Sequence, residues 1–371
     1  MSSARVQIDL GALQHNLGVC RQLTGKANVF GVVKANAYGH GLLRCSQALT
    51  SAANPVDGLA VARLDEAVSL RDAGTQGPIL LLSGVHDGAA LLEAQRQRLS
   101  LVVHSQQQVE LLLQNQALAP FNLWLKVDSG MHRLGLPPEQ IPKVLERLQS
   151  SRMTSRPVGL LTHLASADEL ASSATATQKA CFDGVDWAGG ARSMANSAAV
   201  LAWPNSYYQW VRPGVMLYGV SPFAGESGVQ RGLRPVMEFS APVIAIREQD
   251  AGDRIGYGGA GQCERATKIA VLAAGYGDGY PRHARQSTPV WLGGARCPLL
   301  GRVSMDLITV DITDASGVAV GDWATLWGSA LPVEEVASHA DTIAYELLTR
   351  VSPRPGLSYL EPTSGVLDGQ A

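Results

Sequence analysis

An excess of charge of either sign is missing from this chain. Lys and Arg total 30 against 32 Asp and Glu, a formal net charge of −2, and no basic block stands out. That argues against nucleic acid as the main partner. Long apolar runs are missing too. No window approaches a membrane span, and residues 1–10 hold no apolar stretch of signal-peptide length, so a cytoplasmic protein without membrane attachment is expected. The five cysteines (Cys20, Cys45, Cys181, Cys263, Cys297) are scattered, odd in number and without metal-ligand spacing. Reduced structural thiols and no metal site follow. What the chain does have is apolar substance: of 371 residues, 46% are hydrophobic and 17% charged. A sizeable core is therefore expected, as two domains or as one barrel with an addition.

Strand-like runs alternate with helical patterns along the first part of the chain. The strand candidates are 29–34, 58–62, 78–82, 99–104, 122–127, 158–164, 192–195 and 209–218. Eight strands alternating with helices predict a TIM-type (β/α)8 barrel over residues 11–225, with a doubly wound α/β fold as the structural alternative. Beyond 225 the texture changes to short β-rich runs punctuated by Gly and Pro, at 242–247, 268–273, 289–292, 307–312 and 323–327. Residues 226–371 thus read as a mostly-β second domain ending in a helix near 341–348, and residues 1–10 as a strand that joins it.

One stretch organises the rest. Residues 29–41, Val-Phe-Gly-Val-Val-Lys-Ala-Asn-Ala-Tyr-Gly-His-Gly, read as a buried strand running into a turn. Strand alternation would put Lys34 on the face of Val32 and Phe30. Such a lysine either snorkels to solvent or, desolvated, becomes a neutral amine able to act as nucleophile or imine former. Polar residues at the ends of later strands bear on the choice. They are Lys126 on strand five with Arg133 in the following loop, His163 after strand six, Asn196 and Ser197 after strand seven, and Arg212 with Gly214 on strand eight. Singly, His163 could be a core histidine, Asn196 and Ser197 a helix cap, and Arg212 a surface cation. Together they suit a phosphorylated aldehyde cofactor. Lys34 would form the imine, while Tyr38, Ser197 and the Gly214–Val215 amides would receive the phosphate. Arg212 would face a ring nitrogen that it cannot protonate.

These residues as they stand resemble the alanine racemase family of fold-type III pyridoxal-phosphate enzymes. Val-Val-Lys34-Ala-Asn-Ala-Tyr38-Gly-His-Gly is similar to the family's cofactor-lysine signature. Lys126-Val-Asp-Ser-Gly-Met-His-Arg133-Leu-Gly, Thr-His163-Leu-Ala with Asp168 following, Asn196-Ser197 and Arg212-Pro-Gly214-Val215 fall in the family's order. So do Gly275-Tyr276-Gly-Asp-Gly-Tyr and Gly301-Arg302-Val-Ser-Met305-Asp306. The resemblance covers nearly the whole chain. It implies pyridoxal 5'-phosphate as cofactor, a small amino acid as substrate, and a head-to-tail homodimer with shared active sites. Lys34 would be one base, for the D-enantiomer, and Tyr276 of the partner the other, for the L-enantiomer. Tyr38, His163, Asn196, Ser197, Arg212, Gly214 and Val215 would hold the cofactor. Arg133 would contact the substrate carboxylate and the cofactor's phenolic oxygen, and Met305 would offer a backbone N–H to that carboxylate. Asp168 and Arg302 resemble residues of the entry channel, with Asp306 in the same supporting set. At the position of Lys126 several members carry a carbamylated lysine that orients the arginine; an unmodified ammonium would repel Arg133.

One departure stands out. The family often carries a pocket-narrowing tyrosine near its C-terminus, whereas here the segment reads Leu348-Thr-Arg-Val-Ser-Pro-Arg-Pro-Gly356, with Tyr359 further on. A roomier pocket would admit serine as well as alanine, and an apolar pocket discriminates one methylene-sized group by only about 1–3 kcal/mol. A broader or serine-preferring racemase is therefore the near alternative. A fold-type III decarboxylase and a non-catalytic cofactor-binding protein are the distant ones, and the motif around Tyr276 speaks against both.

Overall fold

The computed structural model describes residues 3–154 and 157–362. The proposed segments 1–10 and 226–371 include residues 1–2 and 363–371, which lie outside the described residues. The chain falls into two compact units. One comprises residues 16–217 and 222–224; the other comprises the residues up to His15, 218–221 and those from Gly225 onward.

Strand β1 (Arg5–Asp9) belongs to the second of these. Asp9 caps the helix Leu10–Thr24 by accepting from the Ala12 N–H at 2.8 Å. The larger unit is a closed barrel of β2 (Asn28–Val32), β3 (Gly58–Val61), β4 (Ile79–Leu81), β5 (Ser100–Val103), β6 (Asn122–Lys126), β7 (Gly159–Leu161), β8 (Arg192–Ser193) and β9 (Trp210–Val211). All neighbours are parallel, and β9 returns to β2 through Asn28↔Trp210 and Val29↔Val211. That closing pair excludes an open doubly wound sheet. β3, β4 and β5 are buried along their whole length, as strands covered on both faces require. Phe30 stacks on Trp210 with centroids 4.0 Å apart, and both meet the Trp124 ring edge-on. Helices between the strands start on side-chain caps: Asp87 accepts from Ala90 N–H at 2.8 Å, Ser105 from Gln108 at 3.3 Å and Asn196 from Ala199 at 3.0 Å.

One expectation needs correction. The first barrel strand stops at Val32, so Lys34 is not a strand residue and does not share a strand face with Val32 and Phe30. It opens a left-handed turn instead. Ala35, Asn36, Ala37 and Tyr38 have φ of 53°, 55°, 53° and 53°. The turn is hydrogen-bonded, with Ala37 N–H donating to Val33 O at 2.8 Å and Gly39 N–H to Ala35 O at 3.0 Å. Non-glycine residues in this region cost roughly 1–2 kcal/mol each, so the surroundings must hold them there.

In the smaller unit the strands are β10 (Met237–Gln249), β11 (Arg254–Ile255), β12 (Gly261–Gln262), β13 (Thr267–Leu272), β14 (Pro289–Leu292), β15 (Ala295–Pro298), β16 (Ile308–Asp311), β17 (Trp323–Trp327) and β18 (Gly356–Leu360). The main sheet runs β15-β14-β17-β10-β1-β18, with β13 pairing β10 and β16. β1 lies antiparallel to β10 and parallel to β18. The 13-residue β10 serves two neighbourhoods: it pairs β17 and β1 before Val243 and β13 from Val243 onward, with a register shift inside the β13 ladder between Val243 and Ala245. The last helix is Ala344–Arg350 rather than 341–348, because Asp341 sits at φ 51° and Ile343 is extended. No helix among the described residues is long and apolar enough to cross a membrane.

Candidate active site

The polar residues singled out at the strand ends of the barrel gather at its C-terminal mouth. Lys34 is half-buried; burial lowers its pKa first, the Arg133 guanidinium lowers it further, and the Glu66 carboxylate opposes both. Glu66 is also what holds the left-handed turn. One of its oxygens accepts from Ala35 N–H at 2.6 Å; the other accepts from Ala62 and Arg63 N–H at 2.9 and 3.0 Å. The turn brings Tyr38 back into the buried interior. His40 Nδ1–H donates to the Tyr38 carbonyl at 2.9 Å, and burial keeps the ring neutral by pulling its pKa down to about 4.

Across from Tyr38 lies a cradle built on Gly214. A Cβ there would sit 2.4 Å from the Tyr38 hydroxyl, so only glycine leaves the two in place. The Gly214 and Met216 N–H groups both donate to Ser197 Oγ, at 2.8 and 3.2 Å. Ser197 opens the helix capped by Asn196, and Val215 is buried beside them. Two hydroxyls and a run of backbone amides converge here.

Arg212 is buried beneath. Its guanidinium donates to Ser193 Oγ and to the carbonyls of Thr162 and Met194. Burial lowers its pKa to about 10, which leaves it charged at neutral pH. Arg212 acts on His163 through charge. Burial comes first, then Arg212, Lys126, Arg133 and Lys34, and together they hold the ring well below its usual range, so it is neutral. Gln178 fixes this strand end: its Nε2 donates to His163 O at 3.1 Å and to Ser129 Oγ at 3.3 Å. Lys126 is 9% exposed, and burial, Arg212, Arg133 and Lys34 bring its pKa down to about 8 against the single opposing carboxylate of Asp128. Asp128 is itself spent on its loop, accepting from Gly130 and His132 N–H at 3.1 and 3.0 Å. Arg133 rides exposed on that loop, and Asp168 is exposed after β7. The mouth thus concentrates Lys34, Lys126, Arg133 and Arg212 with little compensating negative charge. It is built to receive an anion.

In the smaller unit a second group assembles. Tyr276 N–H donates to Ser304 O at 3.0 Å and Gly277 N–H to Met305 O at 2.9 Å. The approach is so close that a Cβ on Gly275 would lie 2.3 Å from the carbonyls of Ser304 and Met305. Arg354 ties the two segments together, donating to Asp306 at 2.7 Å and lying 3.5 Å from Asp278. Tyr276 and Met305 are left 41% and 53% exposed, large side chains available to something outside the unit. Arg302 is exposed near Gly258. Tyr359 is committed to β18, opposite Ile8.

Sequence reasoning missed Glu66, Ser193, Gln178 and Arg354. Glu66 left a trace, since a glutamate three residues past a helix start is a capping signal. The others act through carbonyls or across long separations, which leave no local pattern.

Two family models match the chain: "Alanine racemase, N-terminal domain" over residues 8–222 and "Alanine racemase, C-terminal domain" over 236–359. The chain is 48% identical over 354 residues to the alanine racemase of Nitrosococcus oceani, covering 95% of this chain and 98% of the relative. It is 47% identical over 352 residues to that of Shewanella baltica, covering 94% and 97%. Among solved structures, the biosynthetic alanine racemase of Pseudomonas aeruginosa superposes with a TM-score of 0.93 at 41% identity, over 97% of this chain and all of the other. The Bartonella henselae enzyme, solved with covalently bound pyridoxal phosphate, gives 0.87 at 29% identity, over 97% and 100%. The chain belongs to the alanine racemase family.

Proposed function

We propose that this protein interconverts L- and D-alanine with pyridoxal 5'-phosphate, using Lys34 and Tyr276 of a second copy as bases on opposite faces of the substrate. The observation that carries the reading is the hydroxyl–amide cradle of Tyr38, Ser197 and Gly214 beside a lysine whose pKa burial and Arg133 lower. A phosphate fits that donor set, and the buried Arg212 fits an aromatic nitrogen that must stay unprotonated. Pyridoxal phosphate, when bound, supplies an electron-withdrawing ring that acidifies the α-carbon of the amino acid.

The residues divide the remaining work. Tyr38, Ser197 and the Gly214–Val215 backbone anchor the phosphate; Asn196 sets the helix that presents Ser197. His163, being neutral, adds no further positive charge beside Arg212. Arg133 and the Met305 N–H bind the substrate carboxylate, and Lys126 positions Arg133. Asp168, Arg302 and Asp306 line the approach. Lys34 takes or returns the α-proton on the face used by D-alanine. The Tyr276 oxygen does so on the L-alanine face. Two bases are needed because one base on one face returns the proton where it took it.

Exchange in D2O tests the assignment of faces. With Tyr276→Phe, D-alanine should acquire α-deuterium without forming L-alanine, while exchange from L-alanine falls by at least about a hundredfold. Borohydride reduction should still fix the chromophore on Lys34. Undiminished exchange from L-alanine would remove Tyr276 from the mechanism.

A further inference from the structure

The histidine that follows β5 has no place in the chemistry above. His104 is 8% exposed, and its Nε2 lies 3.1 Å from the carbonyl of Ser83. A carbonyl only accepts, so Nε2 carries the ring proton and Nδ1 is left as a lone-pair acceptor. The Nδ1 atom is fully buried and has no hydrogen-bond partner. The ring is also deliberately held. Gln108, itself buried, accepts from the His104 N–H at 2.8 Å through Oε1 and donates to the same Ser83 carbonyl at 3.1 Å through Nε2. Side chain and backbone of His104 are therefore fixed by one glutamine and one carbonyl. An orienting network of this kind is seldom spent on leaving a buried acceptor idle.

The barrel register says what faces it. Val102 pairs with Trp124 and Val103 with Leu125 in parallel, so His104 comes beside Lys126 on the next strand. Trp124, two residues before Lys126, packs on Phe30 and Trp210, which places this alternation toward the interior. The other charged and titratable groups bearing on the pair are Arg212, Arg133, Lys34, His163, His86 and Asp128. Asp128 is the only anion of the set; its Oδ1 accepts from Gly130 and His132 N–H, and its Oδ2 lies 3.2 Å from His132 Nδ1, all within its own loop. The neutral Nδ1 is the acceptor left for Lys126.

We propose that His104 is a positioning residue for Lys126: its Nδ1 accepts a hydrogen from the Lys126 nitrogen and holds that side chain in register with Arg133. The four-carbon stem of the lysine gives Nζ the freedom to reach it. The contact suits either state of the lysine. An ammonium has hydrogens to give, and a carbamylated nitrogen keeps one N–H, which His104 would take while the carboxylate end turns to Arg133. The inference rests on the reading of Lys126 as the group that positions Arg133.

The test separates the two ring nitrogens. His104→Asn places an amide oxygen near the position of Nδ1 and keeps the acceptor. His104→Gln reaches the position of Nε2 and keeps the Ser83 contact alone. The titration midpoint of Lys126 is read in the full-length protein, in bicarbonate-free buffer, by competitive acetylation and mass spectrometry. His104→Gln should lower the midpoint by about one pH unit, because an acceptor stabilises the ammonium, and His104→Asn should restore it. Racemisation should follow the same order, with KM for alanine raised in the Gln variant as Arg133 loses its support. Equal midpoints in all three proteins, or an equal shift in both variants, would overturn the assignment, since a merely structural histidine would not distinguish them. Borohydride trapping on Lys34 is scored separately. Its failure in the unaltered protein would overturn the cofactor reading, while the Lys126 midpoints, which do not pass through the cofactor, would still decide this one.

Discussion

Lys126 carries the sharpest electrostatic conflict in the barrel mouth. Its ordinary midpoint of 10.5 falls to about 8, with burial the first cause and Arg212, Arg133 and Lys34 after it. Between those values the unfolded chain binds the proton and the folded one does not, so folded stability climbs as pH rises through that window. Below pH 8 the burial of an ammonium is carried in full. In apoprotein kept free of bicarbonate, Lys126→Met should therefore raise stability at pH 7 by on the order of 2–3 kcal/mol. The advantage should fade toward pH 10.5, as read by urea melts across the range. A gain that stays level with pH would mean that Lys126 is not the strained charge. At this scale the candidates were legible because each stands in a short motif: Lys34 with Tyr38, Lys126 with Arg133, Asn196 with Ser197. What was not legible is how Arg212 is held, since its partners are mostly carbonyls and any residue can supply a carbonyl.

The left-handed turn of 35–38 is the element that departs furthest from what local sequence suggests. Sequence periodicity extended the strand through Lys34, because Val32 and Val33 are good strand residues and nothing in Ala-Asn-Ala-Tyr announces positive φ. The turn exists through tertiary support. Glu66 reaches across from the helix Leu64–Asp72, which follows β3, to the Ala35 N–H, and Asn36 Oδ1 accepts from Leu42 N–H at 2.8 Å. Glu66→Gln keeps the size but puts an amide NH2 against one of three backbone donors, at a cost of about 1–3 kcal/mol. It also removes the one carboxylate that raises the Lys34 pKa, so the Lys34 midpoint should move down. Acetylation profiles of Lys34 in the variant check both direction and residue. An upward shift would contradict the role given to Glu66. The barrel itself was more legible than this turn, because eight buried runs separated by helical patterns admit few closed arrangements.

For the molecule as a whole, the two units contribute different chemistry. The barrel holds Lys34, three further cations and the hydroxyl–amide cradle, whereas Tyr276 and Met305 stand exposed on the β-rich unit. The β-rich unit was harder to read from sequence. Its order β15-β14-β17-β10-β1-β18 joins the first described strand to the last, and β10 changes partners partway along, from β17 to β13. Neither event has a local signature. The central claim is that a complete site needs Lys34 from one copy and Tyr276 from another. Lys34→Ala and Tyr276→Phe should each be inactive as homodimers. Dissociated, mixed and reassociated in equal amounts, they should recover about one quarter of the unaltered activity, since half of randomly paired dimers are mixed and each of those has one intact site. No recovery on mixing, with mixed dimers present, would place both bases in one chain and contradict the account.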